Sequence, residues 1–387
     1  MGLDDRDALT ALRAALDRAD TDEVIGRFYT CWFTIDPTVR DLFPAHMHHQ
    51  RAVFTQALNW TLGQFIEQRT DEPVAFLAQL GRDHRKYGVT GDHYESLAHA
   101  LYATLNSSLA GQWTPAVDAA ARQSINFVTG IMRAAADTEG GRPWWDGTVL
   151  EHHRVSRDLA VVRLQLDQPL DYHPGQYVNV QIPQCPRQWR CLSPSIPAQP
   201  DGRIEFHLRA VPGGLVSSAI VGETRPGDRW RLSGPQGGLE VDRGGSDILM
   251  VAGSTGLAPL RSIIMDLSRF GVNPRVHLFF GARYPCELYD LRTLWEIAAS
   301  NPWLSVSPVS DFNIDPRWAA DYPDVTPPRG LHVRQLGRLP EVVTRYGGWG
   351  ERQILLSGGP AMVRATKAAL IAKGAAPERI QHDPLSR

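Results

Sequence analysis

The sequence is short of cysteine. Four occur in 387 residues (Cys31, Cys185, Cys191 and Cys286), and no two form a CxxC pair. That spacing excludes the common zinc frameworks and the dithiol redox motif, and it reads as reduced thiols in a cytoplasmic protein. The sequence is also short of net charge, at −2, so no electrostatic case exists for nucleic acid or an anionic membrane as partner. Long apolar runs are missing. The longest, such as Ile248–Ala252 and Val276–Phe280, are of strand length, far below the ~20 residues of a membrane span, and no stable membrane anchor is expected. The opening MGLDDRDALTALRAALDRAD is acidic and amphipathic, unlike a signal peptide. Finally, residues 3 to 136 contain almost no strand signal.

What is there is organised in blocks. A chain of this length is expected to hold two or three domains. In the first block, apolar stripes at helical spacing run through Leu9, Leu12 and Leu16, through Tyr94, Leu97, Leu101 and Leu105, and through Val117, Ala121, Ile125, Val128 and Met132. Breakers at Pro37, Pro44, Asp71–Pro73, Gly88–Gly91 and Gly111–Pro115 separate them. Six or seven helices with short links make an all-α domain, a bundle or a globin-like fold. One predicted helix, Pro73 to Lys86, places Leu77, Leu80 and His84 on a single face. An imidazole on an apolar wall is either a satisfied core histidine or a metal ligand of the kind that holds a haem iron.

The stretch FYTCWFTIDPTVRDLFP, followed at intervals by His84 and Tyr94, resembles the globin domain of flavohaemoglobins. The resemblance implies that His84 is the proximal ligand of haem b and that Phe43 wedges against the haem plane. Tyr29 would hold bound dioxygen from the distal side, and Tyr94 would approach the proximal imidazole. The second distal residue is His49 counted back from Phe54, or Gln50 matched on the Gln-Arg pair. His46, His48 and His49 together read as a solvated loop entering a helix. Two departures stand out. The late-helix glutamate that would hydrogen-bond the proximal imidazole is missing, with Ala135 or its neighbours in that region. The usual lysine before the ligand is Asp83. Without the carboxylate the imidazole is a weaker electron donor, which weakens the case for dioxygenase chemistry.

TEGGRPWWDG closes the helical block, and Trp144 and Trp145 are expected to pack at the junction. Short alternating runs then follow (TVLEHHRV, LAVVRLQL, QYVNVQI, RIEFHLRAV, DRWRLSG), the pattern of a small antiparallel barrel. Three motifs lie on it in order: PGQY (Pro174–Tyr177), RCLS (Arg190–Ser193) and PGGLVS (Pro212–Ser217). They resemble the FAD domain of ferredoxin-reductase-like oxidoreductases. By that resemblance Arg190 holds the pyrophosphate and Ser193 reaches the flavin edge. Gly213, Gly214, Val216 and Ser217 receive the diphosphate at a helix start. Leu192 stands where the family stacks an aromatic ring on the flavin. Losing that stacking is worth about 0.5–1.5 kcal/mol.

From Asp247 the chain reads strand, Gly-rich turn, helix, in ILMVAGSTGLAPLRSIIMDL. This resembles the NAD(P)H domain of the same reductases, with Gly253, Thr255, Gly256 and Pro259 on its loop motif. VHLFFGARYPCELYD gives a second strand, and SGGPAM matches a second motif through Ser357, Gly358 and Pro360, with Ser357 in place of a cysteine. Arg283 is the candidate for a nucleotide 2′-phosphate. Asp383 matches a family acid near the C-terminus, and Leu385 takes the position of an aromatic that shields the flavin.

The expected architecture is therefore multidomain α, β and α/β. It comprises an all-α globin (1–138), a linker (139–146), an antiparallel FAD barrel (147–242) and a parallel NAD(P)-binding domain (243–387). The implied cofactors are haem b, FAD and NAD(P)H. The implied partners are dioxygen, nitric oxide and a small-molecule electron donor, acting on a monomer. The implied activity is that of an NAD(P)H-dependent flavohaem oxidoreductase resembling nitric oxide dioxygenase. The departures resemble a divergent actinobacterial subgroup in which a donor such as D-lactate is oxidised instead. A haem-based sensor is a third reading, and the absence of an appended output segment counts against it.

Overall fold

The computed structural model describes residues 6–69, 71–316, 331–347 and 349–383. Leu385 lies outside them. The chain forms two compact units, 1–144 and 145–387.

The first unit is helical: α1 (Arg6–Arg18), α2 (Thr21–Ile35), α3 (His48–Ile66), α4 (Asp71–His84), α5 (Gly91–Ser108) and α6 (Pro115–Thr138), with short 3₁₀ turns between. Starts are set by capping. Asp20 accepts from the N–H groups of Asp22 and Glu23, and Thr114 accepts from Val117 with Pro115 in the first turn. The helix expected at Pro73–Lys86 begins two residues earlier and tightens at His84 into the 3₁₀ turn Arg85–Tyr87. Helix α4 lies directly on α6. A Cβ on Gly81 would come within 2.1 Å of the Met132 carbonyl oxygen, so glycine is what lets these two backbones touch three residues before His84. Helix α3 packs on α1 and α2 instead, and makes few contacts with α4.

The second unit begins with an antiparallel sheet in the order β4-β3-β6-β1-β2-β5. Its strands are β1 (Trp145–Arg154), β2 (Leu159–Leu166), β3 (Val178–Gln181), β4 (Trp189–Leu192), β5 (Arg203–Arg209) and β6 (Arg229–Leu232). A bridge between Pro194 and Phe206 brings its two edges together into a nearly closed barrel. Trp145 packs against the barrel core. A bulge between Val149 and Glu151 turns Leu150 outward. Helix α7 (Leu215–Gly222) follows β5.

The chain then builds a parallel sheet from β7 (Ile248–Gly253), β8 (Val276–Ala282), β9 (Leu304–Ser310), β10 (Gln335–Leu336), β11 (Gln353–Ser357) and β12 (Ile380–Gln381). Its helices are α8 (Leu257–Leu267), α9 (Leu291–Ser300), α10 (Leu339–Arg345) and α11 (Pro360–Ala372). The strand order is β10-β9-β8-β7-β11-β12, so the order reverses between β7 and β11. Ile248, Met250 and Ala252 feed one core, Leu249 and Val251 the other. A strand buried on both faces is a continuous apolar run, and Ile248–Ala252 is one.

Candidate functional site

In the first unit Tyr29 lies mid-helix on α2, 2% exposed. Its ring meets Phe43 edge-on at 5.5 Å and Phe54 at 5.9 Å. Burial pushes its hydroxyl up to about 12, against the pull of a hydrogen bond from the Gln50 side chain and of the Arg51 charge. The phenol therefore stays neutral and keeps a proton to donate. Phe43 ends the 3₁₀ turn Pro37–Leu42. Arg40 holds that corner, donating to the carbonyls of Phe43 (3.1 Å) and Pro44 (3.2 Å).

His84 is half-buried at the end of α4. Its Nδ1 lies 2.5 Å from the Leu80 carbonyl oxygen. A carbonyl can only accept, so Nδ1 carries the proton and Nε2 keeps its lone pair. Burial pushes the imidazole pKa down and favours the neutral, metal-ligating form. Tyr94 packs with Leu77 and Met132. Its hydroxyl is buried without a hydrogen-bond partner and is pushed up to about 12, by burial first and the Asp137 charge second.

In the second unit Arg190 stands opposite Val180 on the β3–β4 hairpin. Its side chain is exposed, and its guanidinium has no ion pair or hydrogen bond among the described residues. Leu192 is half-buried against the barrel core, and Ser193 follows at the strand end. Gly213 takes φ +76°, and Gly214 starts α7. A Cβ on Gly214 would lie 2.7 Å from Ser217 Oγ. That hydroxyl is already used, accepting from the Val211 N–H at 3.1 Å.

The loops after β7 and β11 meet at the point where the strand order reverses. A Cβ on Gly256 would lie 2.3 Å from the Ser357 carbonyl oxygen, and one on Gly358 would lie 2.4 Å from Met362 Cε. Ser254 holds a left-handed φ of +53°, and its hydroxyl is buried without a partner. Thr255 is half-buried beside it, and Pro259 is buried in α8. Ligands of open α/β sheets bind at such a crevice, outside the carboxyl ends of the strands. Pro360 starts α11 on the same side. Arg283, exposed past the end of β8, lies over the stacked rings of Tyr284 (5.4 Å) and Phe312 (5.7 Å).

A globin family model matches residues 26–132, and an oxidoreductase FAD-binding domain model matches 146–241. The reductase component of the naphthalene 1,2-dioxygenase/salicylate 5-hydroxylase systems of Ralstonia sp is 33% identical over 243 residues, 61% of this chain and 67% of that protein. The reductase component of phenol 2-monooxygenase from Pseudomonas sp. (strain CF600) is 35% identical, but the match spans only 47% of its length. Among solved structures, the Amycolatopsis cytochrome P450 reductase matches at a TM-score of 0.54 and 30% identity, over 63% of this chain and 70% of that one. A flavohaemoglobin from Malassezia yamatoensis, with FAD and haem bound, covers 100% of both chains at a TM-score of 0.74 and 15% identity.

This chain is a globin fused to a member of the ferredoxin–NAD(P)(+) reductase family. The whole has the flavohaemoglobin fold. In such a globin–reductase fusion the residues fit the expected groups. For haem, the fit is a neutral imidazole with Nε2 free, and half-buried apolar side chains (Phe43, Phe54, Leu58, Leu80, Leu97) that border the helical cores. For FAD, it is a side-chain-free glycine start to α7 and an uncommitted guanidinium on β4. For the nucleotide, it is the glycine crevice with the orphaned Ser254 hydroxyl.

Two expectations about this fusion need correction. His49 is exposed, as are His46 and His48. Gln50, one residue and about 100° further around α3, is the side chain that reaches Tyr29. Tyr94 does not bond His84, whose only ring proton is spent on its own helix. Asp137, the carboxylate whose charge acts on Tyr94, faces Arg133 at 3.6 Å. The Val216 side chain is buried in the barrel core, which leaves its backbone N–H, the kind of group a helix start offers to a diphosphate. A cavity of about 450 Å³ between α5 and α6, lined by Tyr94, Tyr102 and Arg122 among others, is not where the candidate residues converge. Arg122 there is already paired with Asp118.

The sequence reading missed a buried polar cluster around Glu205, His207 and Arg261. The signal was available: Glu205 and His207 sit two apart on β5, so both polar side chains share one strand face. It also missed the state of Asp383. That carboxyl has one oxygen buried without a partner, and burial pushes its pKa up to about 6, against the pull of His382. A carboxyl whose folded pKa is raised favours folding when protonated, and it loses that contribution as pH rises from its ordinary value of 3.8 through 6. Asp383→Asn is therefore expected to stabilise the second unit by about 1–3 kcal/mol at neutral pH. The gain shrinks as pH falls below 6 and vanishes near 3.8. Thermal melts of both proteins across that range check it.

Proposed function

We propose that the fusion takes electrons from NAD(P)H into FAD and passes them to the globin haem, where nitric oxide, dioxygen and one electron give nitrate. When bound, FAD supplies the step from a two-electron donor to a one-electron acceptor, and haem supplies an iron that binds diatomic gases. The chain's own residues do the rest. His84 would hold the iron through Nε2, its ring fixed by the Leu80 carbonyl. Arg190 and the start of α7 would hold the flavin phosphates. The loops after β7 and β11 would hold the nucleotide. The relatives' names support a donor of the NAD(P)H type, since the Ralstonia and Pseudomonas putida proteins are described as ferredoxin–NAD(P)(+) reductase components.

The observation that carries the gas reading is Tyr29. It is a neutral phenol in an aromatic wall, kept protonated by burial and braced by Gln50. Such a donor stabilises negative charge that develops on a polar diatomic ligand, and it is worth most where water is excluded. The proximal side is plainer. A backbone carbonyl stands where a carboxylate would make the imidazole more electron-donating, and this favours slow turnover.

The test is aerobic nitric oxide consumption with NADH, NADPH or D-lactate as donor and nitrate as the measured product. NAD(P)H is expected to sustain nitrate formation above the level of free haem, and Tyr29→Phe to lower the rate at least about tenfold. Nitrate formation no faster than with free haem contradicts the gas reading. Support by D-lactate alone replaces the donor.

A further inference from the structure

Within the second unit, one buried carboxylate joins the barrel to the parallel-sheet domain. Glu205, 3% exposed on β5, receives Ser195 Oγ at 2.7 Å, His207 Nε2 at 3.0 Å and Arg261 Nη1 at 3.2 Å on Oε1. Its Oε2 receives Arg163 Nε at 2.6 Å. Arg261 lies in the second turn of α8, two residues past Pro259. Its Nη1 also donates to the Ser195 carbonyl at 2.8 Å, and its Nε is 2.8 Å from Asp290 Oδ2. Ser195, fully buried, is two residues beyond Ser193, and its N–H donates to the Glu205 carbonyl at 2.8 Å. The far ring nitrogen of His207 meets the Tyr289 hydroxyl at 2.9 Å, on the loop before α9. Burial alone would raise the Glu205 pKa, but His207, Arg163 and Arg261 outweigh it and hold the carboxyl well below the usual range. The group is ionised, and its four donors make it a fixed junction.

We propose that Glu205 is a positioning residue for electron transfer from nucleotide to flavin: through Ser195 and Arg261 it holds the strand end carrying Ser193 and the helix behind the Gly253–Pro259 loop in one relation. The inference rests on the reading that NAD(P)H reduces FAD here. In that step a hydride leaves the nicotinamide, giving NAD⁺, and with one solvent proton converts FAD to FADH₂. Its rate depends on sub-ångström placement, because a misplacement of about 1 Å costs on the order of a hundredfold. A stability ornament on the surface would not need a buried carboxylate with four donors, three of them (Ser195, His207 and Arg261) themselves buried and one of these from the parallel-sheet domain. A clamp between the two loops that must face each other does.

The experiment compares full-length, FAD-loaded wild type with Glu205→Gln, which keeps the shape and loses the charge. Anaerobic stopped-flow bleaching of the flavin by NADH gives the rate and the apparent Kd. Hydrogen exchange of the FAD-free proteins gives a readout independent of activity. The expected result is a limiting rate lower by about tenfold to a hundredfold, with apparent Kd and FAD content within about twofold. Exchange should be faster in peptides covering 190–197 and 254–267 and unchanged in α11. Arg261→Lys is expected to do the same to a smaller degree, because an ammonium cannot span Ser195, Glu205 and Asp290 at once, and it decides the matter if Glu205→Gln does not fold. Equal rates and equal exchange in variant and wild type overturn the inference, as does a uniform rise in exchange with lost FAD, which marks a merely structural role. If NADH does not bleach even the wild type, the donor reading of the preceding section falls and this inference falls with it.

Discussion

Replacing His84 by alanine is expected to remove the Soret band of the purified chain and leave its flavin absorbance in place. The reason is the division of labour within the ring. Nδ1 is spent on the Leu80 carbonyl at 2.5 Å, so the ring is held in one orientation by its own helix. Nε2 is left with a free lone pair for an iron. Burial pushes the pKa down, so no proton competes for that lone pair at neutral pH. Loss of groups that merely orient a ligand costs about 10–100-fold in metal affinity, and loss of the ligand itself must exceed that. The two chromophores belong to separate units, so the flavin serves as an internal control for expression and folding. Added imidazole should restore part of the Soret band by entering the space the ring leaves. Full haem occupancy in the variant would remove His84 from the account.

The second large effect is expected from Gly256→Ala. The added Cβ would sit 2.3 Å from the Ser357 carbonyl oxygen and 2.5 Å from the Gly358 nitrogen. Both are backbone atoms, so no flexible side-chain tip can yield. The loop after β7 has to move off the loop after β11, at the reversal of strand order. Overpacking of this kind costs about 1–3 kcal/mol in stability. The larger loss is functional. Reduction of the flavin by NADH should fall by about a hundredfold or more, while FAD and haem contents stay near wild type. Gly271, where a Cβ meets nothing within 4 Å, supplies the control, and Gly271→Ala should match the parent in stability and rate. If Gly256→Ala is reduced by NADH as fast as the parent, the nucleotide does not sit in this crevice.

What the sequence made legible was local. Helix stripes such as Leu9, Leu12 and Leu16, the run Ile248–Ala252 and the glycine turns each carry their own periodicity or turn chemistry within a few residues. The strand β4 is only four residues long and was visible just as the end of a motif. Strand β9 carries Ser305, Ser307 and Pro308, which blunt its apolar signal, and it went unread along with α9 and α10. The choice between His49 and Gln50 was open because both are polar and both stand at the start of α3, where two neighbours do not fix the helical phase; only the position of Tyr29 does. The missing proximal carboxylate was legible as an absence near Ala135. What replaces it, the carbonyl of Leu80, has no side-chain signature at all. The Glu205 cluster was legible only at Glu205 and His207, two apart on β5, and its other members are remote in sequence. Arg261 lies 56 residues further along the chain and Tyr289 lies 82 residues past His207, and no spacing rule joins residues across two sheets.

The central claim is that one chain carries electrons from a nucleotide through a flavin to a globin iron. Anaerobic mixing of the holoprotein with NADH, followed at the flavin and Soret wavelengths together, tests it most directly. The account predicts bleaching of the flavin followed by the Soret shift of a reduced haem, with the second phase absent in His84→Ala. A flavin that bleaches fully while the Soret band of the wild type stays unmoved would contradict it.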